Sequence, residues 1–531
     1  MMKRIFALIL ALSLVFTLAS CKAKEYEVTL DGIDIEMQDD LYRVYYEIFV
    51  GGFSDSNKDG MGDLQGIINR LDYLNDGDFS SGKSLGVTGL WLMPIMKSPS
   101  YHKYDVRDYK SIDPAYGTLE DFKELTEKAD ERGINVIIDL VLNHTSVYHD
   151  WFMAARSAYE DGDLDNPYLE YYTLVTEEEK IPGRRYYPFE GDLFYEGNFS
   201  DQMPELNMDS DLVREEIVSI LEFWFDLGVS GFRLDATKYV YFNEHDQNIA
   251  FWNWFMDEVK KIKPDAYVVG ETWSPEMQIA MYYESFSNFD FGMAQSEGMI
   301  SLTANSIESV NSYVNYIHNY RTQITSVDSD AILQPFISNH DMNRAAGYLS
   351  VPDGRMQMAA NLYLWTYGTP FLYYGEEIGM KGSRGTENTD ANRRLAMLWG
   401  DKDKVEDPVG STYNPEFQTN GTVVKQLSDP DSIYNHYKRV ILLREANPEI
   451  ARGTYTPLVF DGYDTFGGFL STYQGSTVGV FHNTGMTPIE IDLSQYTSHT
   501  FSELRGYAGQ DVASLNSQVL ILGPLTSVII K

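Results

Sequence analysis

In the stretch 228–238, an apolar run ends in Arg233, Leu234 and Asp235. Residues two apart on a strand share a face, so a guanidinium would stand beside a carboxylate. That keeps Asp235 ionised, as a carboxylate nucleophile requires. Arg-x-Asp pairs also serve as plain structural salt bridges, and nothing local separates the two uses. Other apolar runs end in polar residues in the same way: Asn143 and His144 after 135–142, Glu271 after 266–269, His340 and Asp341 after 331–338. If those ends gather, three carboxylates from three strands share one bowl. Two carboxylates flanking a sugar bond are the apparatus of glycoside hydrolysis. No Ser-His-Asp motif, phosphate loop or dinucleotide fingerprint competes convincingly.

The elements that would position these residues are legible as a rhythm. Apolar runs at 42–50, 87–94, 135–142, 229–234, 266–269, 331–338 and 369–374 predict strands. Helical spacing appears at 64–74, 210–227, 246–262 and 434–446, and Thr118 with Asp121 forms a capping-box pattern opening a helix to about 132. Strands alternating with helices imply a parallel sheet. About eight such units suit an α/β fold, the (β/α)8 TIM barrel, whose active site lies at the C-terminal strand ends. The rhythm breaks over 145–207, too long for a βα loop, which predicts an inserted domain after strand three. From about 450 the pattern turns to short β-type runs, predicting a C-terminal antiparallel β-sandwich. The resulting division is 41–144 and 208–449 for the barrel, 145–207 for the insert and 450–531 for the sandwich.

With 531 residues the chain exceeds one compact core. Its 43% hydrophobic and 23% charged residues are those of a soluble globular protein. A formal net charge of −38 makes nucleic acid and anionic lipid poor partners, whereas a neutral substrate fits. Met1 to Arg4 form a basic start, and 5–19 is almost wholly apolar, ending in small residues before Cys21: a secretory signal over 1–20. The sequence around Cys21 resembles a bacterial lipoprotein box, implying a lipid-anchored, extracytoplasmic protein with a tether over 21–40; a free thiol beside an ordinary cleavage site is the alternative. Cys21 is the only cysteine, so no intramolecular disulfide forms.

Oxygen side chains at Asp55, Asn57, Asp59 and Asp63, with Gly60 at position six, follow the start of a calcium loop. Position twelve is Gly66, so this is not an EF-hand. A compact oxygen cage closed by Asp63, with the Met61 carbonyl as a further ligand, favours calcium over magnesium; a solvated turn is the alternative.

These motifs together resemble the α-amylase family of glycoside hydrolases, family 13, over roughly 41–531. The resemblance rests on Asp139-Leu-Val-Leu-Asn143-His144, Gly231-Phe-Arg233-Leu-Asp235-Ala-Thr-Lys238, Val269-Gly-Glu271-Thr-Trp273 and Ser338-Asn-His340-Asp341, with Met203-Pro-Glu-Leu-Asn207 as a fifth motif. It implies Asp235 as nucleophile, Glu271 as acid and base, and Asp341 as the residue holding the distorted sugar. It further implies that His144 and His340 bond sugar hydroxyls, Tyr104 stacks on that sugar beside His102, Arg233 aligns Asp235, Lys238 meets the leaving-side sugars and Arg344 binds one ring further. Asn143 is a calcium ligand in typical amylases, but Tyr239 stands where many carry His, which weakens a second calcium site here. The mixture resembles lipoprotein α-amylases intermediate between the oligo-1,6-glucosidase and neopullulanase groups. The implied activity is retaining, endo-acting cleavage of α-1,4-glucan by a monomer. Glucanotransferase, neopullulanase-like or exo-glucosidase action is the nearer alternative, and an inactive glycan-binding lipoprotein the remoter one.

Overall fold

The computed structural model describes Ile35 and residues 38–531. The signal segment, Cys21 and most of the tether lie outside the described residues. Seven parallel strands form the central sheet: β1 (Tyr45–Ile48), β2 (Gly89–Leu92), β3 (Asn135–Leu140), β4 (Gly231–Leu234), β5 (Tyr267–Gly270), β6 (Ser287–Asn288) and β7 (Phe371–Tyr373). They pair in the order β7-β1-β2-β3-β4-β5-β6. Parallel bridges from Phe289 to Gln334 and from Phe336 to Phe371 close the ring through 334–336. The eighth position of the barrel is thus held by isolated bridges, and 331–338 forms no continuous strand. β6, two polar residues long, has no apolar run and was not readable from local sequence.

Most of these strands are buried along their whole length, as parallel strands covered on both faces must be. The interior is filled in layers. Tyr45 stacks between Tyr267 and Phe371, with ring centroids 5.0 and 4.9 Å away. Trp91 packs on Phe289 at 5.4 Å, and the Arg233 guanidinium sits 5.1 Å over the Trp91 ring. Two glycines permit this closeness. A Cβ at Gly89 would lie 2.4 Å from the Tyr45 ring, and one at Gly231 only 1.7 Å from the Tyr267 carbonyl oxygen.

Helices cover the barrel outside. In α1 (Leu119–Asp130) the Thr118 hydroxyl accepts from the Asp121 amide while the Asp121 carboxylate accepts from the Thr118 amide, the reciprocal cap read from sequence. In α2 (Asp211–Asp226), Val213, Ile217, Ile220, Leu221 and Trp224 recur at helical spacing and are buried. α3 (His245–Ile262) and α4 (Val310–Val327) follow the same logic. The single helix expected over 64–74 is two short ones, Leu64–Asn69 and Leu71–Leu74, broken at Arg70.

The stretch inserted after β3 contains one regular helix, Asp150–Glu160, capped by the His149 ring accepting from the Trp151 amide. Its buried face is Phe152, Ala155 and Ala158; the small alanines concealed the period in the sequence. Three short antiparallel strands follow in the order Leu174–Val175, Phe194–Glu196, Tyr186–Pro188. At the C-terminus a five-stranded and a three-stranded antiparallel sheet share one core, including Phe460, Phe466, Phe481, Leu520 and Val528. Among the described residues no helix is long and apolar enough to cross a membrane.

Candidate active site

The strand ends meet at a cavity of about 650 Å³, lined among others by Tyr104, His144, Asp235, Lys238, Glu271 and Asp341. At its base lies Arg233, fully buried. β3 and β4 are in register so that Asp139 and Arg233 are direct partners. Arg233 Nη1 donates to both oxygens of Asp139, at 2.9 and 3.0 Å, and to Asp235 Oδ1 at 2.8 Å. Its Nη2 lies 3.1 Å from Glu271 Oε2. One guanidinium therefore spaces three carboxyl groups, and the expected alignment of Asp235 by Arg233 is present in the geometry.

The turn after Asp235 is unusual. Ala236 adopts φ +51°, a left-handed conformation few non-glycine residues take. That turn aims its N–H at Glu271 Oε2, 3.1 Å away. Glu271 Oε1 is left with no hydrogen-bond partner among the described residues. Burial, with Asp235 and Asp341 nearby, outweighs Arg233 and pushes the Glu271 carboxyl up to about 7. Asp139, wholly buried, is raised to about 6 despite Arg233.

Asp341 has the opposite environment. Burial alone would raise it, but His340 and Arg394 outweigh burial and hold its carboxyl far below the usual range. Arg394 Nη2 donates to Asp341 Oδ1 at 2.8 Å, and His340 Nε2 lies 3.1 Å from Oδ2. His340 also meets Glu47 of β1, Nδ1 to Oε1 at 2.5 Å, and the Tyr104 hydroxyl at 2.7 Å. Tyr104 stacks on His340 with centroids 5.6 Å apart and donates to Asp139 Oδ2 at 3.0 Å.

The other two histidines are neutral. His102 Nδ1 accepts from the Tyr104 amide at 3.1 Å, so its proton sits on Nε2; burial lowers the ring to about 4. The Ser100 hydroxyl beside this ring donates to Asp105 and accepts from the Lys103 amide. His144 Nε2 donates to the Tyr104 carbonyl at 3.2 Å, and burial lowers its pKa too. Lys238 donates to the Trp273 carbonyl at 2.5 Å, with its pKa lowered by burial. Trp273 is exposed and stacks on Phe291 at 5.0 Å. Phe199 and Tyr239 form an edge-to-face pair at the same cavity.

Two residues expected to touch sugar do not line the cavity, His340, which is fully buried, and Arg344. Arg344 is buried, donates to the Arg393 carbonyl at 2.9 Å and the Tyr374 carbonyl at 2.5 Å, and packs over both Tyr373 and Tyr374. It does not line the cavity; Arg394 does. The long loop 381–400 folds back and competes for the guanidinium, a contact that spacing along the chain cannot reveal. Glu47 and Arg394 escaped the sequence reading for the same reason: each lies far along the chain from the motif it supports.

The loop after β1 uses its oxygens on its own backbone. Asp55 accepts from the amides of Asn57, Lys58 and Gly60, Asn57 from Asp59, and Asp59 from Met61. Asp63 accepts from the Gly66 amide and from Ser56, capping the helix Leu64–Asn69. Among the described residues no three His, Cys, Asp or Glu side chains gather as a metal site. The donor set is nonetheless all oxygen, the kind calcium takes. A hollow of about 850 Å³ beside this loop is larger than the catalytic cavity. Its Arg70 is already tied to Asp401 and Asp403, and none of Asp235, Glu271 and Asp341 lines it. Asn143 is buried with its side-chain oxygen unpartnered, near Glu205, whose carboxyl burial and Glu196 push up to about 8.

Comparison with known proteins accords with this geometry. The family description "Alpha amylase, catalytic domain" matches residues 47–453. Alpha-amylase 3 of Dictyoglomus thermophilum is 36% identical over 499 residues, covering 92% of this chain and 93% of that protein. A 4-alpha-glucanotransferase of Thermotoga maritima is 31% identical over 428 residues, covering 77% and 88%. Among solved structures, Eubacterium rectale Amy13B superposes with a TM-score of 0.86 at 37% identity, covering 94% of this chain and 97% of that one. With a catalytic-domain match over most of its length and an aligned α-amylase covering nearly all of it, the chain belongs to the α-amylase family of glycoside hydrolases, family 13.

Proposed function

We propose that the enzyme is a retaining, endo-acting hydrolase of α-1,4-glucosidic bonds in starch-like glucans and maltooligosaccharides. The observation that carries this is the pairing of Asp235 and Glu271 on neighbouring nitrogens of one guanidinium, with Glu271 raised to about 7. A close carboxyl pair with the acid of the two raised so that it keeps its proton is the arrangement of a retaining glycosidase.

In the first step Asp235 attacks the anomeric carbon, and Glu271 gives its proton to the departing glycosidic oxygen. A glycosyl ester on Asp235 results. In the second, Glu271 takes a proton from water, the water oxygen attacks the same carbon, and Asp235 leaves as carboxylate. Asp341, kept ionised by His340 and Arg394, binds sugar hydroxyls more strongly as positive charge develops on the ring. Tyr104 supplies the stacking face, and His102, with its proton on Nε2, donates to a hydroxyl; His144 bonds a hydroxyl beside the cleaved bond, while His340, buried and off the cavity, acts on the sugar only through Asp341 and Tyr104. Lys238 serves the leaving side. Trp273 and Phe199 at the cavity favour a held acceptor sugar, the observation behind the second reading, transfer to another glucan in place of water.

Calcium would be held by Asp55, Asn57, Asp59, Asp63 and the Met61 carbonyl, supplying charge balance to the loop after β1 and no chemical step; Asn143 is the weaker candidate for a second ion. The N-terminal sequence supports a lipid anchor at Cys21 and a place in the cell envelope.

The test is the product profile over time on soluble starch and on pullulan, with purified mature protein and calcium. An early fall in iodine staining with mixed maltooligosaccharides supports internal cleavage. Glucose or maltose alone with staining preserved refutes it in favour of exo action.

A further inference from the structure

Glu47 lies on β1, is 1% exposed and does not line the cavity. Its carboxylate nevertheless meets the one ring that touches both the stacking tyrosine and the sugar-holding aspartate. His340 is fully buried. Around it stand Glu47 from β1 on Nδ1, Tyr104 from the loop after β2 and Asp341 on Nε2, Trp91 edge-on at 5.7 Å, Arg394, whose Nε donates to the His340 carbonyl, and the buried Asp139 carboxyl of β3, which interacts electrostatically with the ring.

The proton positions follow from these partners. The Tyr104 hydroxyl has one proton and gives it to Asp139 Oδ2. His340 Nε2 therefore donates, to the Tyr104 oxygen and to Asp341. Nδ1 faces a carboxylate oxygen at 2.5 Å and must also carry a proton. Both ring nitrogens are N–H, so the ring is an imidazolium.

We propose that Glu47 is a positioning residue for the sugar clamp: its charge keeps His340 doubly protonated, and His340 in turn fixes the Asp341 carboxylate and the Tyr104 ring. The ionisation agrees: burial opposes charge on His340, but Asp341 and Glu47 outweigh it and raise the ring to about 9. Without the Glu47 charge, Asp341 is left to oppose burial with one supporting carboxylate fewer, and the ring holds its second proton less tightly. The proton on Nδ1 is then the one given up, and Nε2–H still donates to Asp341 and the Tyr104 oxygen, but from a neutral ring, so the bond to the Asp341 carboxylate loses its charge assistance. The proposal rests on the glycoside-hydrolase reading above for its rate effects, but not for the state of the ring.

The test compares Glu47→Gln and Glu47→Asp with wild type on a 4-nitrophenyl α-maltooligosaccharide from pH 5.5 to 8.5. Losing a hydrogen bond to a charged group predicts a fall in kcat/KM of about 10- to 100-fold at pH 8 for Glu47→Gln. The deficit narrows towards pH 5.5, where the ring is protonated without help. Glu47→Asp keeps the charge and recovers much of the loss. A deficit that does not change with pH and is no smaller in Glu47→Asp would mean a packing role only and overturns the proposal. Should Glu47→Gln fail to fold, the wild-type ring still decides. Its ¹⁵N imidazole resonances, assigned by their loss in His340→Asn, must be those of imidazolium at pH 8, and a neutral ring there refutes the proposal. If wild type cleaves no maltooligosaccharide, the substrate reading falls while the ¹⁵N result stands.

Discussion

Replacing Glu271 with Gln isolates the proton on which the chemistry depends. The amide oxygen still accepts from the Ala236 N–H and so keeps the local turn, but the side chain has no proton to give. General acid catalysis contributes roughly 10²–10⁴-fold, about 3–5 kcal/mol, and that is the expected loss on starch. In wild type, with Glu271 at about 7, the acid form is about 1% of the total at pH 9, so kcat/KM there is about a hundredth of its plateau. The alkaline limb must vanish in Glu271→Gln. A maltosyl fluoride, whose leaving group needs no proton, must recover most of the first-step rate. The assay is kcat/KM against pH for starch and for the fluoride with both proteins. An alkaline limb that survives in Glu271→Gln, or equal losses on the two substrates, refutes the assignment. Stability carries the same signature. A carboxyl raised from 4.5 to about 7 binds its proton more tightly in the folded state. Its contribution is complete below about pH 4.5 and is lost as pH rises towards 7.

Asp235→Asn removes the nucleophile and lowers kcat by at least about 10³-fold; a variant that still hydrolyses starch at a tenth of wild-type rate would remove Asp235 from that role. Arg344→Met strands two buried carbonyl acceptors at roughly 1–3 kcal/mol each, so thermal unfolding shows a clear drop in Tm while KM on maltoheptaose stays within about twofold. A large rise in KM with Tm unchanged would restore Arg344 to the sugar-binding surface. Chelation by EDTA lowers Tm and calcium restores it, by about 2.7 kcal/mol when calcium is at 100 times its Kd; identical scans with and without chelator would dismiss the loop at 55–63 as a calcium site.

The barrel was legible because parallel strands buried on both faces read as apolar runs, and the polar residues that end them stand out against that background. Asp235, Glu271 and Asp341 were visible for that reason, and the Thr118 cap because its two bonds are local. β6 was invisible because two polar residues carry no pattern, and 331–338 read as a full strand because burial, which makes it apolar, does not require ladder pairing. The spacing marked Asp63 as an oxygen ligand but did not show the further use of its carboxylate, which accepts from Ser56 and caps the helix that begins at the next residue.

The sequence by itself determined which residues could do chemistry, their order, and the fold that would gather them, because residue type and hydrophobic period are local properties. Only the tertiary structure decided which partner each charge meets. Arg233 spans three carboxyls, Glu47 reaches His340 across 293 positions, and Arg394 binds Asp341. Those pairings set the ionisation of the site through burial and through distances of about 3 Å between residues that chain spacing does not relate.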